Sequence, residues 1–346
     1  LIAGEPRRIL VITVSRIGDT LLVTPAVRAI RKAYPAAQLA FLAHPKRAEI
    51  LAHLPQIDRL GPITKHRARL MGWIGPKRYD LAFVYGSDRP LIEYALRAAR
   101  RVVAFRQGDD AIDARLFRAV LPPAFQSMHS VPIHLALTDA LGLAHDGHDL
   151  SYRVSPDETQ WAIRRLAQDV PDGATPLIGV QVASFPTKGY RDWPIEHFIA
   201  LGERIVAHYP RVHFLVFGGE LERDRTRAFH QRFASHASHY AGELTLRQTG
   251  ALMSRVDLYI GVDTGPTHIF GTMRLPMVAL YHCFSPSRLI APLEHPCLYA
   301  IDHPRIGGGP DTPMGEIAVD TVWEQVRAAL EHRARASEPV SMPSVA

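Results

Sequence analysis

Residues 257–273 read DLYIGVDTGPTHIFGTM, and the fold is read outward from this stretch. Leu258 to Val262 form an apolar run of strand length, ended by Asp263-Thr264-Gly265. Pro266 suits the first turn of a helix, so a helix is expected to begin at once. Free backbone amides and the helix dipole at such a start attract an anion. Gly265 lets backbone approach a ligand closely, Thr264 adds a hydroxyl donor, and His268 lies one turn in, within reach of a phosphate oxygen. The plainer alternative is that Asp263 and Thr264 only cap the helix. Capping alone does not call for the whole run Asp-Thr-Gly-Pro-Thr-His.

On both sides of this stretch, short apolar strands alternate with amphipathic helical patterns. PLIGVQVA, VHFLVFGG and PMVALYH read as strands; WPIEHFIALGERIVAHY and ELERDRTRAFHQRFAS read as helices. The first part of the chain has the same rhythm, with RRILVITV, AQLAFLAH, YDLAFVYG and RRVVAF as strands. Such βαβα alternation predicts parallel sheets covered by helices. The polar connector AHDGHDLSYRVSPDETQ divides the two series, so we expect two α/β, Rossmann-like domains, residues 1–155 and 156–332, followed by a tail over 333–346. GEIAVDTVWEQVRAALEHR is expected to close the second domain as a long helix.

The bulk numbers narrow the class. The chain has 346 residues, 47% of them apolar, enough for two cores. Cys283 and Cys297 lack metal-site spacing and make no disulfide framework, which points to a reducing, cytoplasmic compartment. The first strand is too short and too soon polar for a signal peptide. No uncharged apolar stretch approaches the ~20 residues of a membrane span. Charge is uneven: residues 1–150 hold 21 Lys/Arg against 13 Asp/Glu, and residues 151–346 hold 19 against 21. Within the first part, Arg59 to Arg106 holds 11 basic and 3 acidic residues. A basic surface confined to one domain suggests an anionic partner there.

Two further runs carry chemistry. In ASFPTKGYRDWPIEHF a strand ends at Ala183, and a loop then presents Ser184, Thr187, Lys188 and Arg191 before Trp193-Pro194. Hydroxyls with a cation at a strand's C-terminal end suit a diphosphate leaving group, whose charge grows as its bond breaks. In FGGELERD, Glu222 follows a glycine-ended strand, where a carboxylate can accept both hydroxyls of a ribose. Near the chain start, VSRIGDTLLVTPAVRAI (Val14–Ile30) turns from strand to helix with one glycine, Gly18, and a carboxylate, Asp19. A dinucleotide-binding turn would carry spaced glycines instead. By position alone, Asp19 reads as a helix cap or first-turn carboxylate.

Together these pieces resemble the heptosyltransferases of glycosyltransferase family 9, which build the lipopolysaccharide inner core. The resemblance rests on RIGDTLLVTPAVRAI, ASFPTKGYRDWP, VDTGPTHIFGTM and PMGEIAVDTVWEQV, in that order along nearly the whole chain. It implies a GT-B fold, two Rossmann-like domains with parallel sheets facing across a cleft, the acceptor bound by the first and the nucleotide-sugar donor by the second. It also implies inverting transfer without a metal or other cofactor, in keeping with the lack of an Asp-x-Asp run. Asp19 matches the family's general base. Asp263, Thr264, Gly265 and His268 match its phosphate run, Glu222 its ribose carboxylate, and Leu244 falls where backbone meets adenine. The family's loop lysine matches Lys188 when counted from Thr187 and Arg191 when counted back from Trp193-Pro194. The implied partners are an ADP-heptose donor and an anionic glycolipid acceptor held by Lys65, Arg67 and Arg69. The same basic patch suits a peripheral position on the inner face of a bacterial inner membrane. Five other readings stand beside this one: a related transferase with another nucleotide-sugar or acceptor, a nicotinamide-dependent oxidoreductase, a nucleotide-sugar epimerase on the same scaffold, a non-catalytic nucleotide-binding regulator, and nucleic-acid binding. The last lacks aromatics interleaved with the basic residues.

Overall fold

A computed structural model describes residues 5–337 except Ile74 and Phe125. The chain divides into two compact units, one running to Ser155 and taking back Arg288–Glu294, the other comprising Pro156–Ser287 and the chain from His295. The return of Arg288–Glu294 to the first unit is not marked in the sequence. It is held there by the His129 ring, 2.8 Å from the Ala291 carbonyl, and by Glu294, which accepts from the His148 amide at 3.0 Å.

The first unit is a six-stranded parallel sheet. Its elements are β1 (Arg8–Thr13), α1 (Ile17–Leu21), α2 (Thr24–Ala33), β2 (Gln38–Ala43), β3 (Arg59–Pro62), α3 (Lys65–Leu70), β4 (Tyr79–Tyr85), α4 (Arg89–Ala98), β5 (Ala99–Phe105), α5 (Asp110–Asp113), β6 (Arg118–Val120) and α6 (Ser130–Asp139). The strand order is β3-β2-β1-β4-β5-β6. β1 is central, with Val11 opposite Phe41 on one side and Phe83 on the other. Helices on both faces bury alternate residues of either parity, which is why Ile9–Ile12 form an unbroken apolar run. Leu10 and Ile12 join Leu91, Ile92 and Ala95 of α4 in one buried cluster.

The helical pattern after β1 is two helices rather than one. Pro25 has no N–H to give the Leu21 carbonyl, and the Thr24 hydroxyl donates to that carbonyl instead, at 2.6 Å. Asp19 thereby sits on a helix of its own, a single short turn directly beyond the end of β1.

The chain continues through α7 (Pro156–Asp169), β7 (Leu177–Gln181), α8 (Ile195–His208), β8 (His213–Val216), α9 (Arg223–Arg232), β9 (Ala237–His239), α10 (Leu246–Met253), β10 (Leu258–Val262), α11 (Gly265–Phe270), β11 (Met277–Tyr281), α12 (Ser287–Ile290), β12 (Leu298–Asp302) and α13 (Val319–Ser337), all in the second unit except α12, which beyond Ser287 belongs to the first. The second unit's sheet is also parallel, in the order β12-β11-β10-β7-β8-β9. Numbered within the unit, that is the same topology as the first sheet. In both, the strand order reverses beside the first strand, at β1/β4 and at β10/β7. Open α/β sheets bind ligands at the strand carboxyl ends flanking such a reversal.

Val322, Val326 and Ala329 of α13 pack on Val278 and Leu280 of β11. No Gly or Pro interrupts residues 319–337, so α13 runs on through positions 333–337 of the expected tail; the remainder, 338–346, lies outside the described residues.

Close packing between α8 and the end of α9 depends on Gly202, where an added Cβ would stand 2.6 Å from the Phe233 ring. Gly202→Val is expected to lower the unfolding free energy by about 2 kcal/mol or more in urea titration. Gly309→Ala, where the new methyl would meet nothing within 4 Å, should leave the midpoint unchanged.

Candidate functional site

In the second unit, the two sequence runs singled out above leave neighbouring strands. Ser184–Arg191 follows β7, and Asp263–His268 follows β10, which pairs directly with β7. A side chain joins them: Arg191 Nη1 lies 2.6 Å from Asp263 Oδ2. The other oxygen of Asp263 is 3.4 Å from His268 Nε2. Asp263 is only 2% exposed, so its charge is held by these partners and not by water. Burial pushes the Asp263 carboxyl up. The hydrogen bond from His268, the Arg191 and His268 charges and a bond from Ser285 together outweigh it, leaving the group below its ordinary value.

Capping falls to Thr264 alone. Its hydroxyl is the N-cap of α11 and sits 3.0 Å from the Thr267 hydroxyl. Thr267 in turn donates to the Val262 carbonyl and meets the Tyr259 hydroxyl at 2.9 Å. These bonds fix the turn that presents Gly265 and His268, and they leave the Asp263 carboxylate to Arg191 and His268.

The loop after β7 is tied from within. The Ser184 hydroxyl donates to the Lys188 carbonyl at 2.7 Å, and the Ser184 amide donates to Asp192 at 2.6 Å. Thr187 is exposed. The Lys188 ammonium lies 5.4 Å from the centre of the Tyr190 ring, and the Arg191 guanidinium 5.5 Å from it. Of the two cations between which the sequence does not choose, Arg191 is the one joined to the Asp263 run.

Glu222 precedes α9 and is buried. Its Oε2 accepts the Gly219 amide at 2.6 Å, while its Oε1 accepts no hydrogen bond among the described residues and has Arg225 4.0 Å away. Burial raises the Glu222 carboxyl; the Gly219 bond and the Arg225 charge offset this in part, and Asp192 adds to it. His268 Nδ1 is likewise buried without a partner. Buried polar atoms are nearly always satisfied, so two such atoms, one after β8 and one in the helix after β10, suit groups that take up a polar ligand. Leu244 lies in the turn just before Thr245, the N-cap of α10.

Sequence reasoning passed over Arg225. Its guanidinium donates to Asp192 and to the Ser184 carbonyl and approaches Glu222, so one side chain ties the β7 loop to the β8 loop. The charged helix pattern ELERDRTR hid it, because any of its three arginines could have been solvated.

In the first unit, the N-cap of α1 is Arg16, so Asp19 caps nothing. The Asp19 carboxylate accepts no hydrogen bond among the described residues. Its electrostatic neighbour is His134 of α6, which burial pushes down to about 4 despite the opposing pull of Asp19. His134 meets Tyr85 edge-on at 5.6 Å, and His134 Nδ1 and the Tyr85 hydroxyl are both buried without partners. Lys65 pairs with Asp88 at 2.5 Å, whereas Arg67 and Arg69 are exposed. Among the described residues no three His, Cys, Asp or Glu are grouped to hold a metal ion, and no helix is long and apolar enough to cross a membrane.

Residues 114–296 match the family described as glycosyltransferase family 9 (heptosyltransferase). The chain belongs to that family. This glycosyltransferase is 23% identical to lipopolysaccharide heptosyltransferase 3 of Escherichia coli over 282 residues, 76% of this chain and 80% of the relative. It is 21% identical to the lipopolysaccharide core heptosyltransferase OpsX of Haemophilus influenzae, covering 83% of this chain and 82% of the relative. Its fold is that of a family 9 glycosyl transferase from Veillonella parvula (TM-score 0.77, 19% identity, 96% of this chain and 98% of the other). An E. coli ADP-heptose lipopolysaccharide heptosyltransferase II superposes similarly (TM-score 0.75, 20% identity, 94% and 99%). The matched stretch contains both strand-end runs of the second unit. Membership makes the chain a transferase rather than an oxidoreductase, an epimerase or a non-catalytic regulator.

Replacing Asp263 deprives Arg191 and the buried His268 of their shared charge. Asp263→Ala is expected to lower stability at neutral pH by about 3 kcal/mol in urea unfolding. The folded-state carboxyl titrates below its unfolded value. Its contribution is therefore complete above about pH 4 and fades as pH falls through the depressed value, and the gap between variant and parent should narrow in acid.

Proposed function

We propose that this glycosyltransferase moves heptose from ADP-heptose to an inner-core lipopolysaccharide acceptor, inverting the anomeric centre without a metal ion. The observation that carries this reading is the Arg191–Asp263–His268 cluster, which brings a cation and an imidazole to a helix start at the strand-order reversal. Donor and acceptor identity lean on the relatives, whose names specify ADP-heptose and lipopolysaccharide.

In this reading the diphosphate lies on Thr264, Gly265 and His268. Arg191, oriented by Asp263, faces the phosphate charge that grows as the glycosyl–oxygen bond breaks, with Lys188 and Thr187 further out on the same loop. Ser184 shapes that loop through its bond to Lys188. Glu222 Oε1 accepts a ribose hydroxyl, and the backbone at Leu244 meets adenine. The acceptor hydroxyl gives its proton to Asp19, and its oxygen bonds to the anomeric carbon on the face opposite ADP. The bond to the diphosphate breaks and ADP departs. One base and one displacement give inversion. Beside Asp19, the neutral His134 adds no competing positive charge. Arg67 and Arg69 attract the acceptor's carboxylates and phosphates, which guanidinium groups bind in pairs.

Asp19→Asn is expected to cut transfer, followed by ADP release with a Kdo-lipid A acceptor, by about 10²–10⁴-fold. Its ADP affinity in calorimetry should equal that of the parent; transfer at the parental rate contradicts the base assignment. Chelation by EDTA should leave the rate unchanged. Glu222 accepts a proton at a higher pH than an ordinary glutamate, so ADP affinity should fall as pH drops into the range just above pH 4.5. Glu222→Gln, which cannot ionise, should flatten that limb.

A further inference from the structure

Every strand of the second sheet runs parallel to its neighbours, so the loops that follow the strands all leave at one carboxyl edge. Leu244 follows β9, Glu222 follows β8, the loop 184–191 follows β7 and the turn 263–268 follows β10; these four strands are consecutive neighbours. In the reading proposed above, adenine, ribose and diphosphate meet them in that order. With strands about 4.8 Å apart, the donor is laid out as a ladder along the sheet edge. The next strand is β11. The transferred sugar is carried on the far end of the diphosphate, so the loop after β11, residues 282–287, is the next surface it meets.

That loop is pinned at both ends and still presents a phenyl ring to solvent. His282, only 1% exposed, donates from Nε2 to the Thr312 carbonyl at 2.8 Å and accepts the Phe284 amide on Nδ1 at 3.0 Å. One neutral tautomer satisfies both bonds. Burial, opposed by the Thr312 bond and aided by the His303 and Arg191 charges, lowers the imidazole below its ordinary value and so keeps it neutral. The Ser285 amide donates to the His282 carbonyl at 2.8 Å, and the Ser287 amide and hydroxyl both donate to Asp302 at 2.6 Å. Ser285 also bonds to the Asp263 carboxylate, which brings the loop against the cradle itself. Between these anchors Phe284 is left 43% exposed. Tyr190 of the β7 loop meets it edge-on, with ring centres 6.3 Å apart and 82° between the planes. Tyr190 is fixed in turn by His282, edge-on at 5.1 Å, and by Arg191, whose Nε donates to the Tyr190 hydroxyl at 3.3 Å. Two rings near a right angle thus make an apolar corner beside the cation of the cradle. A ring face taken out of water against C–H groups is stabilising, and a pyranose offers such a face.

We propose that Phe284 and Tyr190 form the seat of the transferred sugar, packing on the C–H face of its pyranose ring, and so distinguish the sugar-loaded donor from the ADP product. This rests on the diphosphate reading of the cradle and extends it by one subsite. Calorimetry of ADP and of ADP-heptose with the full chain, in the absence of acceptor, tests it. Phe284→Ala should bind ADP as the parent does and ADP-heptose about tenfold more weakly. The retained ADP affinity shows in the same experiment that the variant is folded. Phe284→Tyr, which keeps a ring, should bind both ligands like the parent. Parental affinity of Phe284→Ala for ADP-heptose, or an equal loss for ADP and ADP-heptose, would overturn the proposal. So would a defect confined to saturation by a Kdo-lipid A acceptor, because that would assign the ring to the acceptor. A parent that binds no ADP would instead overturn the diphosphate reading, and the sugar seat with it.

Discussion

Asp263 is the buried carboxylate that joins the two strand-end runs of the second unit. A buried charge without partners costs several kcal/mol, so this one is tolerated only because Arg191 and His268 stand against its two oxygens. The dependence runs both ways. Arg191 belongs to a loop after β7 and His268 to a helix after β10, and the shared carboxylate sets their spacing. Parallel pairing of β7 with β10 is what allows residues 72 apart in sequence to meet. Thr264 holds the helix start by itself, which frees Asp263 for this role.

The two units have the same sheet order and use its reversal differently. In the second, the strand ends carry glycine, hydroxyls and cations, the chemistry of a phosphate cradle. In the first, the turn after β1 carries Asp19 on a one-turn helix, separated from α2 by Pro25. Half-buried His134 is its electrostatic neighbour and meets the buried Tyr85 edge-on, each with an unpartnered polar atom, and the imidazole is neutral at physiological pH. A glycine-poor first turn follows if this unit holds an acceptor and not a diphosphate.

Much of this was legible beforehand. The central strands β1, β4, β7, β10 and β11 are buried on both faces, so their apolar runs are continuous and unmistakable. The short outer strands β3, β6 and β9 were not, because RLGP, RAV and ASH carry little apolar pattern of their own and are strands by virtue of the neighbour they pair with. The division of the first helical pattern escaped notice because Pro25 fits a helix start equally well whether or not another helix precedes it. At the site, residue types were readable but partners were not. Lys188 and Arg191 are interchangeable by counting, and only the fold joins Arg191 to Asp263. Arg225, three residues past Glu222, looked like any surface arginine until it was seen to tie two loops.

The central claim is that the Asp263–His268 turn, with Arg191, recognises the diphosphate of the donor. The most direct measurement compares ADP with adenosine by calorimetry in the parent and in His268→Gln and Arg191→Met. The account predicts that the parent prefers ADP strongly and that both variants lose most of that preference while binding adenosine as the parent does. An ADP preference undiminished in both variants would place the diphosphate elsewhere and contradict the account.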